Sequence, residues 1–144
     1  MALVYFDSSA LVKLIVEEEG SNVAASLWDG CDAALSSRIA YPEVRAALAA
    51  AARDQRIDSP SLQRAKEDWE EFWSVTQIVE VTAAVELEAG HLADKHALGG
   101  ADAIHLASAL AIGLSDLVVA AWDRRLREGV IAAGLRVAPS VTEV

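Results

Sequence analysis

Four carboxylates in this chain stand where carboxylates are costly. Asp7 follows directly on the apolar run Leu3 to Phe6, and Asp123 closes "LVVAAW". Glu43 sits in "IAYPEVRAALAA", and Asp102 in "LGGADAIHLASAL", at the first turn of a helix with almost no other charge. A buried, unpaired carboxylate must neutralise, find a cation or lie at an open edge. Each acid alone has an ordinary reading. Asp7 could be an Asx-turn or N-cap residue. Glu43 could be an exposed helical acid, Asp102 a first-turn acid favoured by the helix dipole, and Asp123 the opening of a turn. Gathered on one rim, however, they would repel and raise each other's pKa values, and a divalent cation removes that conflict. An all-oxygen ligand set suits magnesium or manganese, which accept substrate phosphate oxygens. Such metals activate water and stabilise the leaving oxygen of a phosphodiester. Paired carboxylates also run glycoside hydrolysis, but this chain is small and has no obvious aromatic sugar platform.

The elements around these acids decide whether they can meet. Ala2 to Phe6 reads as a short buried strand, followed by a helix from Ser9 to about Glu18 with Ser8 and Ser9 as N-cap residues. Ser21 to Trp28 reads as a helix stopped by Asp29-Gly30, and Asp32 to Leu35 as a strand. Ser36-Ser37 then introduce a long helix whose regular part starts near Pro42. Asp58-Ser59-Pro60 caps a helix with Leu62, Trp69, Phe72 and Trp73 on one side. Thr76 to Val81 alternates like a strand, and Thr82 caps a helix reaching about His96. "ADAIHLASALAIG" is a helix closed by Gly113, "DLVVAAW" a buried strand, Leu126 to Ala133 a short helix with Gly134 as C-cap, and "LRVAP" a last strand. Strands alternating with helices imply a parallel sheet covered on both faces. Ligands in such sheets bind beyond the strands' carboxyl ends, which is where Asp7 and Asp123 fall.

The 144 residues suit one domain, 1–144, with a sizeable core. With 53% hydrophobic and 24% charged residues, the composition is that of a globular protein rather than a disordered one. No segment reaches the roughly 18 apolar residues of a membrane span, and the N-terminus lacks the basic n-region of a signal peptide. The single cysteine, Cys31, allows no internal disulfide and no thiolate metal cluster, so a reducing cytoplasm fits. The net charge of −10 argues against broad phosphate neutralisation but not against a local basic patch.

Four segments, "VYFDSSALVKL", "SSRIAYPEVRAAL", "LGGADAIHLASAL" and "LVVAAWDRRL", occur in the order and spacing of PIN-domain proteins. The chain most resembles the VapC toxins of toxin–antitoxin pairs, over nearly its whole length. The resemblance implies an α/β fold, a three-layer α/β/α sandwich around a short, mostly parallel sheet. It implies a magnesium- or manganese-dependent endoribonuclease that leaves a 3′-hydroxyl and a 5′-phosphate. Asp7 and Asp102 would be the main metal ligands, Glu43 and Asp123 would complete the site directly or through water, and Ser8 would help orient Asp7. A small antitoxin with a basic tail and a second copy of the chain are the implied partners. One departure concerns Ala121, where many relatives place Thr or Ser two residues before the last acid. That absent hydroxyl keeps a catalytically silent, PIN-like scaffold that binds RNA or a protein in view.

The remaining residues are weighed against plainer roles. Ser9 reads as a cap. Lys13 could reach phosphate or be a solvated lysine. Arg38 and Arg45 flank Glu43, and Arg124, Arg125 and Arg127 cluster beside Asp123. These arginines are either RNA contacts or ordinary surface charge. His105 lies three residues after Asp102 on the same helical side. It reads as a hydrogen-bonded core histidine before a metal ligand, and His91 and His96 have no ligand-like company. Trp69, Phe72 and Trp73 read as core before partner surface. A haloacid-dehalogenase-type phosphatase would need a second Asp where Ser9 stands, and a receiver domain would need a lysine after its last strand, which "LRVAPS" does not supply.

Overall fold

Strand β1, Leu3–Phe6, is the middle of a five-stranded sheet in the order β3-β2-β1-β4-β5. Its companions are β2 (Ala33–Ser37), β3 (Gln77–Val79), β4 (Val118–Ala120) and β5 (Arg136–Ala138). Every pairing is parallel, with Tyr5 opposite Leu35 on one side and Val119 on the other. The computed structural model describes residues 2–140. Met1 and residues 141–144, the two ends of the expected domain, lie outside the described residues. The chain winds outward from β1 through β2 to β3, then returns to place β4 on the other side of β1. The winding direction reverses between β1 and β4, and a doubly wound sheet opens a crevice at such a switch.

Among the described residues seven helices cover the sheet: α1 (Ser8–Ile15), α2 (Ser21–Gly30), α3 (Ala40–Arg53), α4 (Ser59–Ser74), α5 (Ala83–His96), α6 (Gly100–Ile112) and α7 (Arg124–Ala132). The two-residue period of β1 sorts them into layers. Val4 and Phe6 pack with Ala10, Leu11, Val44, Leu48 and Trp69 of α1, α3 and α4. Tyr5 packs on the opposite side with Val85, Leu106, Leu126 and Val130 of α5, α6 and α7. The expected three-layer sandwich is therefore present. Trp69 is fully buried, and the partly buried Phe72 and Trp73 pack against the same cluster, so the aromatic stripe of α4 faces the core.

Several boundaries differ from expectation for local reasons. Asp7, not Ser8 or Ser9, is the N-cap of α1: its backbone is extended and its carboxylate accepts from Ala10 N–H. Helix α1 ends at Ile15 rather than near Glu18, because the acidic run that follows opposes the negative end of the helix dipole. Strand β2 continues to Ser37 rather than stopping at Leu35. The buried Ser36 hydroxyl donates to the Phe6 carbonyl at 2.6 Å, which satisfies a polar group in the sheet interior. Strand β4 stops at Ala120, three residues short of Asp123, and α7 starts at Arg124 rather than Leu126.

The turn between α1 and α2 also reaches the rim. Gly20 has φ +91°, and a Cβ there would lie 3.0 Å from Trp122 Nε1 and 3.1 Å from Lys13 Cε. Only glycine meets both conditions without strain. Among the described residues, no helix is long and apolar enough to cross a membrane.

Candidate active site

Asp7 is 3% exposed at the carboxyl end of the central strand. Its Oδ1 accepts from Ala10 N at 2.8 Å and from the Ser9 hydroxyl at 2.9 Å. Oδ2 has no hydrogen bond among the described residues. The hydroxyl that steadies Asp7 is thus Ser9's, not that of Ser8, because an N-cap acid looks forward along the first helical turn. Burial pushes the Asp7 carboxyl above its ordinary pKa, and the Ala10 and Ser9 hydrogen bonds pull it back in part.

Glu43 lies in the first turn of α3, on the opposite layer from α6. Its Oε1 is 2.7 Å from His105 Nε2, and His105 Nδ1 is 2.7 Å from the Tyr5 hydroxyl. His105 is 2% exposed, so the expectation of a hydrogen-bonded core histidine holds. Its partners escaped the sequence reading. The one available signal was the i, i+3 spacing to Asp102, which places both on one side of α6.

Asp102 occupies the first turn of α6, where free backbone N–H groups favour a negative charge. Its carboxyl is raised above the ordinary value, chiefly by burial, then by the negative charges of Asp123 and Glu43. Asp123 caps α7, its Oδ2 accepting from Leu126 N at 3.0 Å. The four acids therefore come from the β1–α1 junction, α3, α6 and the β4–α7 connection, with Asp102 near enough to Asp7, Glu43 and Asp123 for their charges to interact. Among the described residues, no three His, Cys, Asp or Glu side chains converge closely enough to hold one ion. The acids crowd one another electrostatically without closing on a common point.

The cations divide into groups. Arg127 is not part of the basic surface cluster. It is 8% exposed and donates to the carbonyls of Ala121 at 2.9 Å and Pro139 at 2.8 Å, a structural role that its position beside two exposed arginines concealed. Lys13 is not a solvated lysine either: it pairs with Glu18 at 3.0 Å, lies over the Trp122 ring, and has a 13% exposed side chain. Arg38 pairs with Glu80 at 2.5 Å, and Arg45 lies 3.2 Å from the Tyr41 hydroxyl and 3.6 Å from Glu70. Arg124, directly after Asp123, has a 91% exposed side chain and pairs with Glu128 of its own helix at 3.1 Å, and Arg125 lies 3.5 Å from the Ala97 carbonyl. Ala121 is fully buried, among Tyr5, Val119 and Leu126.

Comparison with known proteins bears on the family and the fold. Residues 4–129 match the PIN domain. The chain is 66% identical over 140 residues to ribonuclease VapC49 of Mycobacterium tuberculosis strain H37Rv, spanning 97% of each protein. Among solved structures it is similar to VapC20 of Mycobacterium tuberculosis, described as a sarcin-ricin loop cleaving toxin. The TM-score is 0.67 at 20% identity, over 92% of this chain and 95% of that one. It is also similar to a chain of a toxin–antitoxin complex from Klebsiella pneumoniae, with TM-score 0.55 at 22% identity, over 82% of this chain and 84% of that one. At those identities the solved structures speak for the fold, and they agree with the sandwich described above. The family match runs from β1 into α7 and so takes in every element that carries one of the four acids: the chain belongs to the PIN-domain family.

Proposed function

We propose that this chain is an endoribonuclease, the toxin of a type II toxin–antitoxin pair, which hydrolyses RNA phosphodiesters at the rim formed by Asp7, Glu43, Asp102 and Asp123. The observation that carries this reading is the crowding of acids around Asp102 at the switch point of the sheet. Kinship with a protein named a ribonuclease, over 97% of both chains, directs the reading to RNA.

The donor set fits a divalent cation. All its donors are oxygens, Asp7 Oδ2 has no hydrogen bond among the described residues, and the raised carboxyls of Asp7 and Asp102 are the kind of group a counter-ion would relieve. A magnesium or manganese ion held there would supply an activated water and offset charge on the leaving oxygen. The chain's own residues do the rest. Ser9 and Ala10 N–H hold one Asp7 oxygen and leave the other for the ion. His105 holds Glu43 by one oxygen. Asp102 and Asp123 complete the ring of acids, each set by a helix start. Arg124 and Arg125 are the open cations beside Asp123 and offer contacts to RNA phosphate. Lys13 and Arg45 can do so only by exchanging their present partners.

The same reading places the protein in the cytoplasm with a small antitoxin. A basic antitoxin tail suits both the acidic rim and a net charge of −10. A homodimer completes it. The test is cleavage of a mixed RNA pool, transfer RNAs included, by purified protein with magnesium, manganese or chelator. Cleavage that requires metal and disappears in Asp7→Asn and Asp102→Asn is the expected result. Equal cleavage by parent and variants would sink the assignment of these acids. RNA binding without cleavage in any metal would favour the silent scaffold.

A further inference from the structure

Three side chains from three elements form one hydrogen-bonded chain through the interior. The Tyr5 hydroxyl of β1 meets His105 Nδ1 of α6, and His105 Nε2 meets Glu43 Oε1 of α3, each at 2.7 Å. The links join positions 100 and 62 residues apart. Tyr5 is fully buried and the His105 side chain is 1% exposed, while Glu43 remains 30% exposed. For a neutral His105 ring beside an ionised Glu43, the donors and acceptors give this chain one direction. A carboxylate oxygen only accepts, so Nε2 carries the hydrogen. Nδ1 of the neutral ring then accepts, and the Tyr5 hydroxyl donates. A tyrosine buried this deeply keeps its proton, since burial raises its pKa well above the ordinary value.

The chain has a geometric consequence at the rim. Tyr5 lies in β1 two residues before Asp7, which follows directly on that strand, and His105 is three residues after Asp102 on the same helix face. Glu43 comes from the opposite helical layer. A glutamate at a helix start samples many rotamers unless something holds it. Here the holder is a ring seated on the two elements that carry Asp7 and Asp102.

We propose that Tyr5 and His105 are positioning residues that fix the Glu43 carboxylate relative to Asp7 and Asp102, leaving Oε2 of Glu43 for the site. The proposal rests on the reading of Glu43 as a site acid. It is tested by imidazole nitrogen NMR at pH 8, above the ordinary histidine pKa of about 6.5, and by manganese binding without RNA. In the parent, His105 is expected to carry hydrogen on Nε2 and none on Nδ1. Tyr5→Phe, which deletes one oxygen, is expected to weaken that preference. Manganese affinity is expected to fall about 10- to 100-fold in Tyr5→Phe and His105→Leu, as when partners behind metal ligands are removed. His105→Gln, whose amide can still donate to Glu43, is expected to recover most of it. A parent ring protonated on Nδ1 alone would overturn the proposal. So would a folded Tyr5→Phe that binds manganese like the parent while Glu43→Gln binds it weakly. If Glu43→Gln itself binds like the parent, the role of Glu43 falls and the proposal falls with it.

Discussion

Arg127 Nη1 donates to the Ala121 carbonyl at 2.9 Å, while its Nη2 reaches the Pro139 carbonyl at 2.8 Å. One guanidinium thereby ties the stretch after β4 to the stretch after β5. Asp123 sits between Ala121 and Arg127, and its own carboxylate starts the helix that carries Arg127. The end of the sheet that presents Asp123 is braced from below by a buried cation whose planar fork spans two backbone acceptors.

Removing that fork strands two carbonyls in a buried place. Arg127→Met keeps the apolar stem and is expected to destabilise the fold by about 2–4 kcal/mol, the scale of unsatisfied buried acceptors. Arg127→Lys keeps the charge but not the fork, and is expected to recover less than half of the loss. Urea unfolding of the three proteins measures this. A change within 0.5 kcal/mol, the roughly neutral range of surface substitutions, would mean that the two carbonyls find water instead.

Acidity offers an independent check on the carboxylates. Asp7 and Asp102 are raised in the folded state, first by burial. The folded protein therefore holds their protons more tightly than the unfolded chain does. Their contribution to stability is greatest below the ordinary aspartate pKa of about 3.9. It declines as pH rises through that value and on through the raised folded one. In chelator, the Tm difference between Asp102→Asn and the parent should grow in favour of the variant as pH rises from about 4 to 7. Asp7→Asn should behave alike, since an amide oxygen still accepts from Ala10. Magnesium or manganese should raise the Tm of the parent at pH 7 and leave the variants nearly unmoved. A variant advantage that shrinks with rising pH would contradict the direction of both shifts.

The two serines after Asp7 are expected to separate cleanly. Ser9→Ala removes a hydroxyl 2.9 Å from Asp7 Oδ1 and should cost about 0.5–1.5 kcal/mol, with a loss of RNA cleavage. Ser8→Ala should stay within about 0.5 kcal/mol of the parent. Thermal unfolding and cleavage rates of the pair decide it, and the reverse order would restore the orienting role to Ser8.

That reversal of the serines shows where sequence stops being informative. The covered parallel sheet was legible, because apolar runs of four to seven residues alternate with capped, helix-period segments. Which group caps α1 was not, since Asp and both serines are all good caps and only backbone dihedrals choose among them. Ser36 looked like a helix preface because a serine is seldom written into a strand. Its hydroxyl is satisfied by Phe6, a partner 30 residues away. The role of Arg127 and the partners of His105 were hidden for the same reason. Their partners are backbone carbonyls or side chains on other elements, which no local pattern encodes. The candidate acids were named by type and spacing, whereas the contacts around them are tertiary.

Gly20 provides the most local test of how the rim is supported. At φ +91° an L side chain is strained, and a Cβ would press within 3.0 Å of Trp122 Nε1 and 3.1 Å of Lys13 Cε. The lysine end can move, but the Trp122 ring adjoins Asp123 and has less freedom to yield. Gly20→Ala is therefore expected to lose about 1–3 kcal/mol, combining backbone strain with overpacking. It is also expected to slow cleavage through a displaced Asp123. Gly30→Ala is the control, because a Cβ at Gly30, the last residue of α2, meets nothing within 4 Å. It should be neutral or slightly stabilising. Denaturation curves and RNA cleavage on both variants decide the matter. A Gly20→Ala protein as stable as Gly30→Ala would mean that the turn relaxes freely and that Trp122 does not transmit its position to Asp123.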